Sequence, residues 1–475
     1  MAELTLKLLS DEEKNQIHST ALNLLEGVGL LVEDTEALDL LEEAGAGVDH
    51  SAQRVRFPTG LVGTSLEQAP AEVKLYGRDT SQVVHLTSGS VYYSTSGYAV
   101  RLYDPRTGQC GEMNRAGLEW ITELADGLDH VDIHAVLGTP YDVPSQTNDR
   151  YQLAIALTKN TKHIWNTAYG RDGVQDAVNM ASAVRGSRQA LRDFPLFTLD
   201  LTTLSPLQLD GRQASTIIEG ARQGIPIGVS PGPSGGATGP VTLAGTLVQA
   251  HAEFLGGLVL CQVVQPGIPV IYTHWTRSLD MASGGVAMGG PEFSLLRVAN
   301  AEMARYCNLP SRGGGLMADS KTPDAQMGAE KLLNCLMASL AGLNVVAGVG
   351  QTDFINTVRP EQMFIDNEII GIVKRMCRGM EVNQDTIAQD AISEVGPGGN
   401  YLSAEHTLAH FRSELWFPTL WDRKTWSVWE EEGAKDVAAR ATEQVASSSH
   451  RVPPLDPGVE AAIWEVVTAA DQRLA

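Results

Sequence analysis

Pro310-Ser311-Arg312-Gly313-Gly314-Gly315-Leu316-Met317-Ala318-Asp319-Ser320-Lys321-Thr322-Pro323-Asp324 carries a short extended segment into a helix. Three glycines end the extended part and let a backbone approach something closely, and Pro323 suits the first turn of a helix. Between them a polar bend holds acids and a lysine, as the rim of an active site would. One strand and one helix make a single unit of an alternating fold, so the flanking sequence decides how many units there are.

Outward in both directions the pattern recurs. Short apolar segments at Val91–Tyr98, Val131–Leu137, His163–Ala168, Leu196–Leu201, Pro226–Ser230, Pro269–His274, Ser311–Leu316 and Asn344–Val349 read as strands. Helical patterns near 116–127, 147–159, 174–185, 211–223, 241–264, 291–307, 323–341 and 360–378 follow them. Eight strand-helix units predict an α/β fold, a (β/α)8 TIM barrel over 91–380. A doubly wound open sheet is the alternative, because spacing alone does not prove closure. Residues 1–90 read as an N-terminal helical and mixed cap, with a helix over 11–28 opened by a Ser10/Glu13 capping box and a second over 35–44. Residues 381–475 read as a C-terminal helical extension.

Composition bounds the function. The 475 residues are 43% hydrophobic and 19% charged, ordinary for a folded enzyme-sized body. With 35 basic against 57 acidic residues the net charge is −22, which argues against nucleic acid as a partner. Met1–Glu13 lacks the basic start and apolar core of a signal peptide, and the longest strongly apolar run, Phe254–Val264, reads as a buried helix. The expectation is a cytoplasmic protein off the membrane. The five cysteines, Cys110, Cys261, Cys307, Cys335 and Cys377, are scattered, so they read as reduced core residues, and no close Cys/His spacing suggests a metal site.

In such a barrel the reacting groups stand at the strand carboxyl ends. Those ends offer Tyr98, Thr139, Asn166, Thr167, Thr202, Thr203, Ser230, His274, Trp275, Gly313 to Asp319 and Gly348 to Gln351. Small polar and aromatic residues dominate, without a Ser-His-Asp set, a His-Glu metal constellation or a phosphate loop. Tyr98, Trp165, Trp275 and Phe354 are either core or the walls of a cage for a quaternary ammonium, which has no N–H and is held by ring faces. His274 either is structural or binds an anionic group, a role open also to Gln351 and the Gly313, Gly314 and Gly315 amides.

Two glycine-rich loops, Gly235-Gly236-Ala237-Thr238-Gly239-Pro240 and Ser283-Gly284-Gly285 through Gly289-Gly290-Pro291, precede helices. Each is either an anion site or a tight packing loop, and together they suit a wide mouth. Lys321 is a candidate Schiff-base lysine, and Asp319 and Asp324 read as loop braces or helix caps. His406 and His410 share a helix face in an aromatic stretch that reads as a cluster fastening the tail to the barrel.

The segments GGATGPVTLAGTLVQAHAEFLGGLVLCQ (235–262), PGIPVIY (266–272), GGPEFSLL (289–296), DSKTPDAQMGAEK (319–331) and EHTLAHFRSELWFPTLWDR (405–423) resemble the trimethylamine methyltransferase (MttB) superfamily. The resemblance runs from the Ser10 helix to Arg423. It implies a (β/α)8 barrel that passes a methyl group from a methylated amine to a cognate corrinoid (cobalamin) protein, with no cofactor held tightly by this chain. Archaeal trimethylamine enzymes of that superfamily carry pyrrolysine in the barrel. This chain has none, and so is similar to the non-pyrrolysine branch, which includes glycine betaine:corrinoid methyltransferases.

The resemblance implies substrate contacts from Tyr98, Trp165, His274, Trp275, Gly313, Gly314, Gln351 and Phe354. It implies a corrinoid-facing rim from Gly235, Gly236, Gly284, Gly285, Asp319 and Ser320, no proton-transfer residue, no metal, and a homo-oligomer. Glycine betaine is the expected substrate, with proline betaine, carnitine, γ-butyrobetaine or another methylated amine as alternatives. A betaine-binding protein without catalysis and a Lys321 lyase are the readings from other classes.

Overall fold

Short β-rich segments bounded by glycine, proline and polar residues pair edge to edge in the computed structural model, which describes residues 5–474. The barrel strands are β1 (Tyr92–Thr95), β2 (Ile133–Ala135), β3 (His163–Asn166), β4 (Phe197–Leu201), β5 (Ile227–Val229), β6 (Val270–His274), β7 (Ser311–Gly314) and β8 (Val345–Val349). Each is followed by its helix: α1 (Arg115–Asp126), α2 (Asn148–Lys159), α3 (Gly170–Arg185), α4 (Gly211–Gln223), α5 (Leu243–Val264), α6 (Pro291–Tyr306), α7 (Ala325–Leu340) and α8 (Pro360–Cys377). All eight strands are parallel. Val345 of β8 lies opposite Tyr92 of β1, and Ser94 of β1 lies opposite Ile133 of β2, which closes the ring and removes the open-sheet alternative.

Strand ends fall short of their expected places for local reasons. β1 stops at Thr95 because the chain turns out to Tyr98, whose φ of 73° is left-handed backbone. β7 stops at Gly314 because the Gly315 and Leu316 amides both donate to Ala347 O, at 2.8 and 3.0 Å. Pro323 does not open α7. Asp324 is the N-cap, its carboxylate accepting from the Met327 amide at 2.9 Å, and the proline stands one residue outside.

The N-terminal elements pack on two sides of the barrel. The Asp11–Gly27 helix has both hydrogen bonds of the Ser10/Glu13 capping box and buries Ile17, Ala21 and Leu25 in the cluster that includes α5. The Val73–Tyr76 and Val83–Leu86 hairpin sets Val73, Leu75, Val84 and Leu86 against Ile133, Ile271 and Val345. Those barrel residues lie toward the strand amino ends, so this end is plugged and the carboxyl end is left as the mouth.

Helix α5 has 22 residues and a mean hydropathy of 1.5 over its most apolar window, long and apolar enough by composition to cross a membrane. Its environment accounts for that: 78% of the window is buried among the other elements of the fold. Of the cysteines, Cys261, Cys307 and Cys335 are buried, Cys377 is half-buried, and Cys110 is exposed on a hairpin rather than in a core. None is in a disulfide.

The C-terminal helix Pro457–Leu474 lies along α2 and α3, where Arg473 pairs with Asp176 at 2.6 Å and Tyr151 donates to Asp471 at 2.8 Å. On α8, Glu368 accepts the amides of Thr419 and Leu420 at 2.9 Å and that of Trp421 at 3.1 Å. The histidines expected to fasten the tail do not: His406 and His410 lie with ring centres 4.3 Å apart and tilted by 37° on Glu405–Glu414, a helix with no buried residue, beside Asp385. The later part of the same stretch does the fastening, through Thr419 to Trp421 on Glu368 and the buried Leu420.

His134 on β2 is buried, neither ring nitrogen has a hydrogen-bond partner among the described residues, and burial lowers its pKa to about 3. The unfolded chain takes that proton near pH 6.5, so stability present above 6.5 is lost as pH falls toward 3, by about 1.4 kcal/mol per unit. A His134→Leu variant removes this term. Between pH 7.5 and 5, denaturant unfolding is expected to show the wild type losing about 2 kcal/mol more than the variant.

Candidate active site

Pleating decides which side chains enter the barrel. On β6, Tyr272 and His274 share one face, while Ile271, Thr273 and then Trp275 share the other. Tyr272 packs on Phe254 of α5 with ring centres 4.1 Å apart and the rings tilted by 52°, and His274 stacks on Tyr272 at 4.6 Å, so both face the helix layer. His274 is fully buried without a ring hydrogen bond among the described residues, and burial beside Arg297 keeps its pKa well below 6.5. It is a neutral side chain behind the barrel wall and does not reach the mouth, unlike Trp275.

The mouth holds a cavity of about 220 Å³, lined from β1 by Ser96, Gly97 and Tyr98, from β3 and β4 by Trp165, Asp200 and Thr202, and from β6 and β7 by Trp275, Arg277 and Arg312. Met288 and Ile355 supply apolar cover. Three of the expected residues, Tyr98, Trp165 and Trp275, therefore meet around one space. Gly228 makes room for this: a Cβ there would lie 2.3 Å from Cζ2 of Trp165.

Arg312 and Asp200 are the residues that sequence reasoning missed. The Arg312 guanidinium lies over the Trp165 ring at 4.3 Å and over Trp275 at 5.4 Å, so the indole faces already hold a cation. Asp200 Oδ2 is 3.7 Å from Arg312 Nη1, and Asp200 Oδ1 accepts from Ser230 Oγ at 2.6 Å. Arg312 is set inward by the same alternation that turns Gly313 toward α6. That alternation is the signal that could have found it. Burial lowers its pKa and Asp200 opposes the shift, while burial and the Asp200 charge raise the Tyr98 phenol well above 10. Tyr98 is thus a neutral hydroxyl at neutral pH.

The other expected contacts act from behind. Gly313 lies in the ladder opposite His274 and Val346, and the Gly315 amide is donated to Ala347 O, so that amide is not free for a carboxylate. Gly314 is needed for space, since a Cβ would lie 2.9 Å from atoms of Trp275, Phe293 and Met317. Gln351 donates to Ser96 O at 2.7 Å and so holds the loop that carries Tyr98. Phe354 packs in the cluster that backs Trp275 and sits under the Lys321 ammonium at 4.9 Å.

Lys321 itself is 64% exposed, with Nζ on Asp319 O at 2.7 Å, and does not line the cavity. Around the mouth, Ser234–Gly235, Arg277–Leu279 and Val286–Ala287 form a three-stranded sheet. Gly236 and Gly284 take positive φ in its connections, and Gly285 follows. Asp319 accepts the Met288 amide at 2.8 Å, and burial raises its pKa; Ser320 is buried and bonded to Asp324 at 3.0 Å, so both brace the loop.

The fold also juxtaposes groups far apart in sequence. His18, His251 and Cys307 place potential metal donors within 4.8 Å of one another, a proximity that spacing could not reveal. His18 Nδ1 is already 2.9 Å from His251 Nε2, and this cluster lies among the outer helices, away from the cavity.

An eight-stranded barrel with one aromatic and charged cavity at its carboxyl end defines the class: a (β/α)8 enzyme barrel. The chain belongs to the trimethylamine methyltransferase (MTTB) family, whose model matches residues 2–474, and it is a methyltransferase. It is 34% identical over 466 residues to trimethylamine methyltransferase MttB of Desulfitobacterium hafniense (strain DSM 10664 / DCB-2), covering 98% of this chain and 94% of that one. It is 29% identical over 457 residues to the glycine betaine methyltransferase of Desulfitobacterium hafniense (strain Y51), covering 96% and 95%. Among solved structures it is similar in fold to the hydroxylamine complex of MtmB, with a TM-score of 0.50 and 12% identity over 98% of this chain and 93% of that one.

Proposed function

We propose that the protein moves one N-methyl group from a methylated quaternary amine, glycine betaine foremost, to the cobalt(I) of a corrinoid carried by a separate protein. The observation that carries this reading is the meeting of Tyr98 and Trp275 around one small cavity with Trp165, whose ring carries Arg312. A quaternary nitrogen donates no hydrogen bond, so ring faces and a nearby carboxylate are what can hold it. Asp200 is the cavity's carboxylate.

The chemistry asks little of proton transfer. The C–N bond breaks with its pair left on nitrogen, which loses its charge, and the pair for the new bond to carbon comes from cobalt(I). No proton moves, so the work of the barrel is to orient one methyl and keep water out. Met288 and Ile355 add apolar lining that favours exclusion of water. In this reading the corrinoid faces Gly235 of the three-stranded sheet and Gly236, Gly284 and Gly285 in its connections.

The glycine betaine methyltransferase relative supports the choice of amine. Proline betaine, carnitine and γ-butyrobetaine are alternative substrates for the same reaction. The reading includes a cytoplasmic location, consistent with unpaired cysteines, and a homo-oligomer, for which the exposed Met380, Val382, Leu402, Leu408 and Trp426 offer apolar surface. A Lys321 lyase is disfavoured by that lysine's place outside the cavity.

A panel of quaternary amines with cobalt(I) cobalamin, followed by the absorbance of methylcobalamin, tests the reading. Trp275→Ala is expected to lower kcat/KM by about tenfold to thirtyfold, the worth of a desolvated cation–π contact, with far-UV circular dichroism unchanged. A folded variant running at the wild-type rate would remove the aromatic wall from the mechanism.

A further inference from the structure

Buried arginines elsewhere in this protein have partners. Arg150 is bonded to Asp149 at 2.8 Å and to Asp176 at 3.0 Å, and Arg297 donates to the carbonyls of His274 and Thr276. Arg312 differs. It is 1% exposed, and neither Nε nor Nη1 has a hydrogen-bond partner among the described residues. The one acid nearby, Asp200, stands at 3.7 Å from Nη1, beyond hydrogen-bond reach, and gives its other oxygen to Ser230.

A buried, unsatisfied guanidinium is costly, and it is kept here in a fixed pose over two indole rings at the edge of a cavity. The fork of a guanidinium matches a carboxylate. A fixed cation also repels a bare ammonium ligand, unless the ligand brings its own anion. The cavity's 220 Å³ is about seven water volumes at roughly 30 Å³ each, room for a small amino-acid betaine.

We propose that Arg312 is the receptor for a carboxylate on the substrate, with Asp200, Trp275 and Tyr98 taking the cationic end. The cavity then selects zwitterionic methylated amines over amines without an acid group. This inference rests on the proposed function for its choice of a quaternary amine and adds the residue that sets specificity.

Calorimetric titration of the full chain, without any corrinoid, separates the two. Glycine betaine is expected to bind about a hundredfold more tightly than choline, which has a hydroxymethyl group in place of the carboxylate. Arg312→Met is expected to erase that ratio by weakening the betaine and sparing choline, and Arg312→Lys to keep part of it. Equal binding of the two ligands to the wild type, a result that needs no variant to fold, overturns the proposal. So does an unchanged ratio in folded Arg312→Met. Carboxylate-dependent binding with no methyl transfer to cobalt(I) would leave this assignment standing and end the methyl-transfer reading. Transfer from choline as fast as from betaine would do the reverse.

Discussion

Replacing Asp366 by alanine is expected to destabilise the protein by about 3–5 kcal/mol, because it leaves a buried ammonium without a counter-charge. Lys331 on α7 and Asp366 on α8 are both fully buried, with Nζ and Oδ2 2.6 Å apart. Burial lowers the lysine pKa and raises that of the acid, while each partner opposes the shift of the other. Asp366 also accepts the Gly350 amide at 2.7 Å and the Gln362 side chain at 2.8 Å, so its loss frees the turn after β8 as well. The double replacement Lys331→Met with Asp366→Leu is expected to recover most of the loss, since paired removal leaves no orphan charge. Urea unfolding of the wild type and the two variants measures this, and a single variant within about 1 kcal/mol of wild type would contradict it.

Gly228→Ala is expected to reduce methyl transfer by about a hundredfold or more, because small displacements in a positioned site cost that much. The added Cβ would stand 2.3 Å from Cζ2 and 2.9 Å from Cη2 of Trp165. Trp165 is fully buried, with Arg312 stacked over its ring, so the indole can retreat only by displacing Arg312 or by entering the cavity it lines, and either move disturbs the site. Overpacking of this kind costs about 1–3 kcal/mol, which a large barrel survives. A folded, less active variant is the expected result. Full activity would mean that the Trp165 and Arg312 stack does not position the substrate.

The barrel was legible because its signals are local. Ile227 to Val229 between Pro226 and Ser230 reads as a strand without knowledge of its neighbours, and Asp210 caps α4 as its side chain dictates. Tyr98 and Trp275 were legible as strand-end residues, and Trp165 as an aromatic within the third strand. What the sequence hid depends on side-chain direction. His274 and Trp275 are adjacent, and only the packing of Tyr272 on Phe254 decides which of them faces the mouth. Arg312 sits in a strand between serine and glycine, where a charged residue suggests an edge or a surface. Its burial over two indoles became visible only once β3, β6 and β7 were brought together. The Gly228 requirement likewise exists only when Trp165 crosses the barrel to meet it.

The central claim is that an N-methyl group leaves a quaternary amine in this cavity for cobalt(I). Glycine betaine labelled with carbon-13 in its N-methyl groups, incubated with the protein and cobalt(I) cobalamin, tests it most directly. The account predicts one labelled methyl on cobalt for each dimethylglycine formed, both dependent on the protein. Labelled betaine recovered intact, with no label on cobalt from this or any other quaternary amine of the panel, would contradict it.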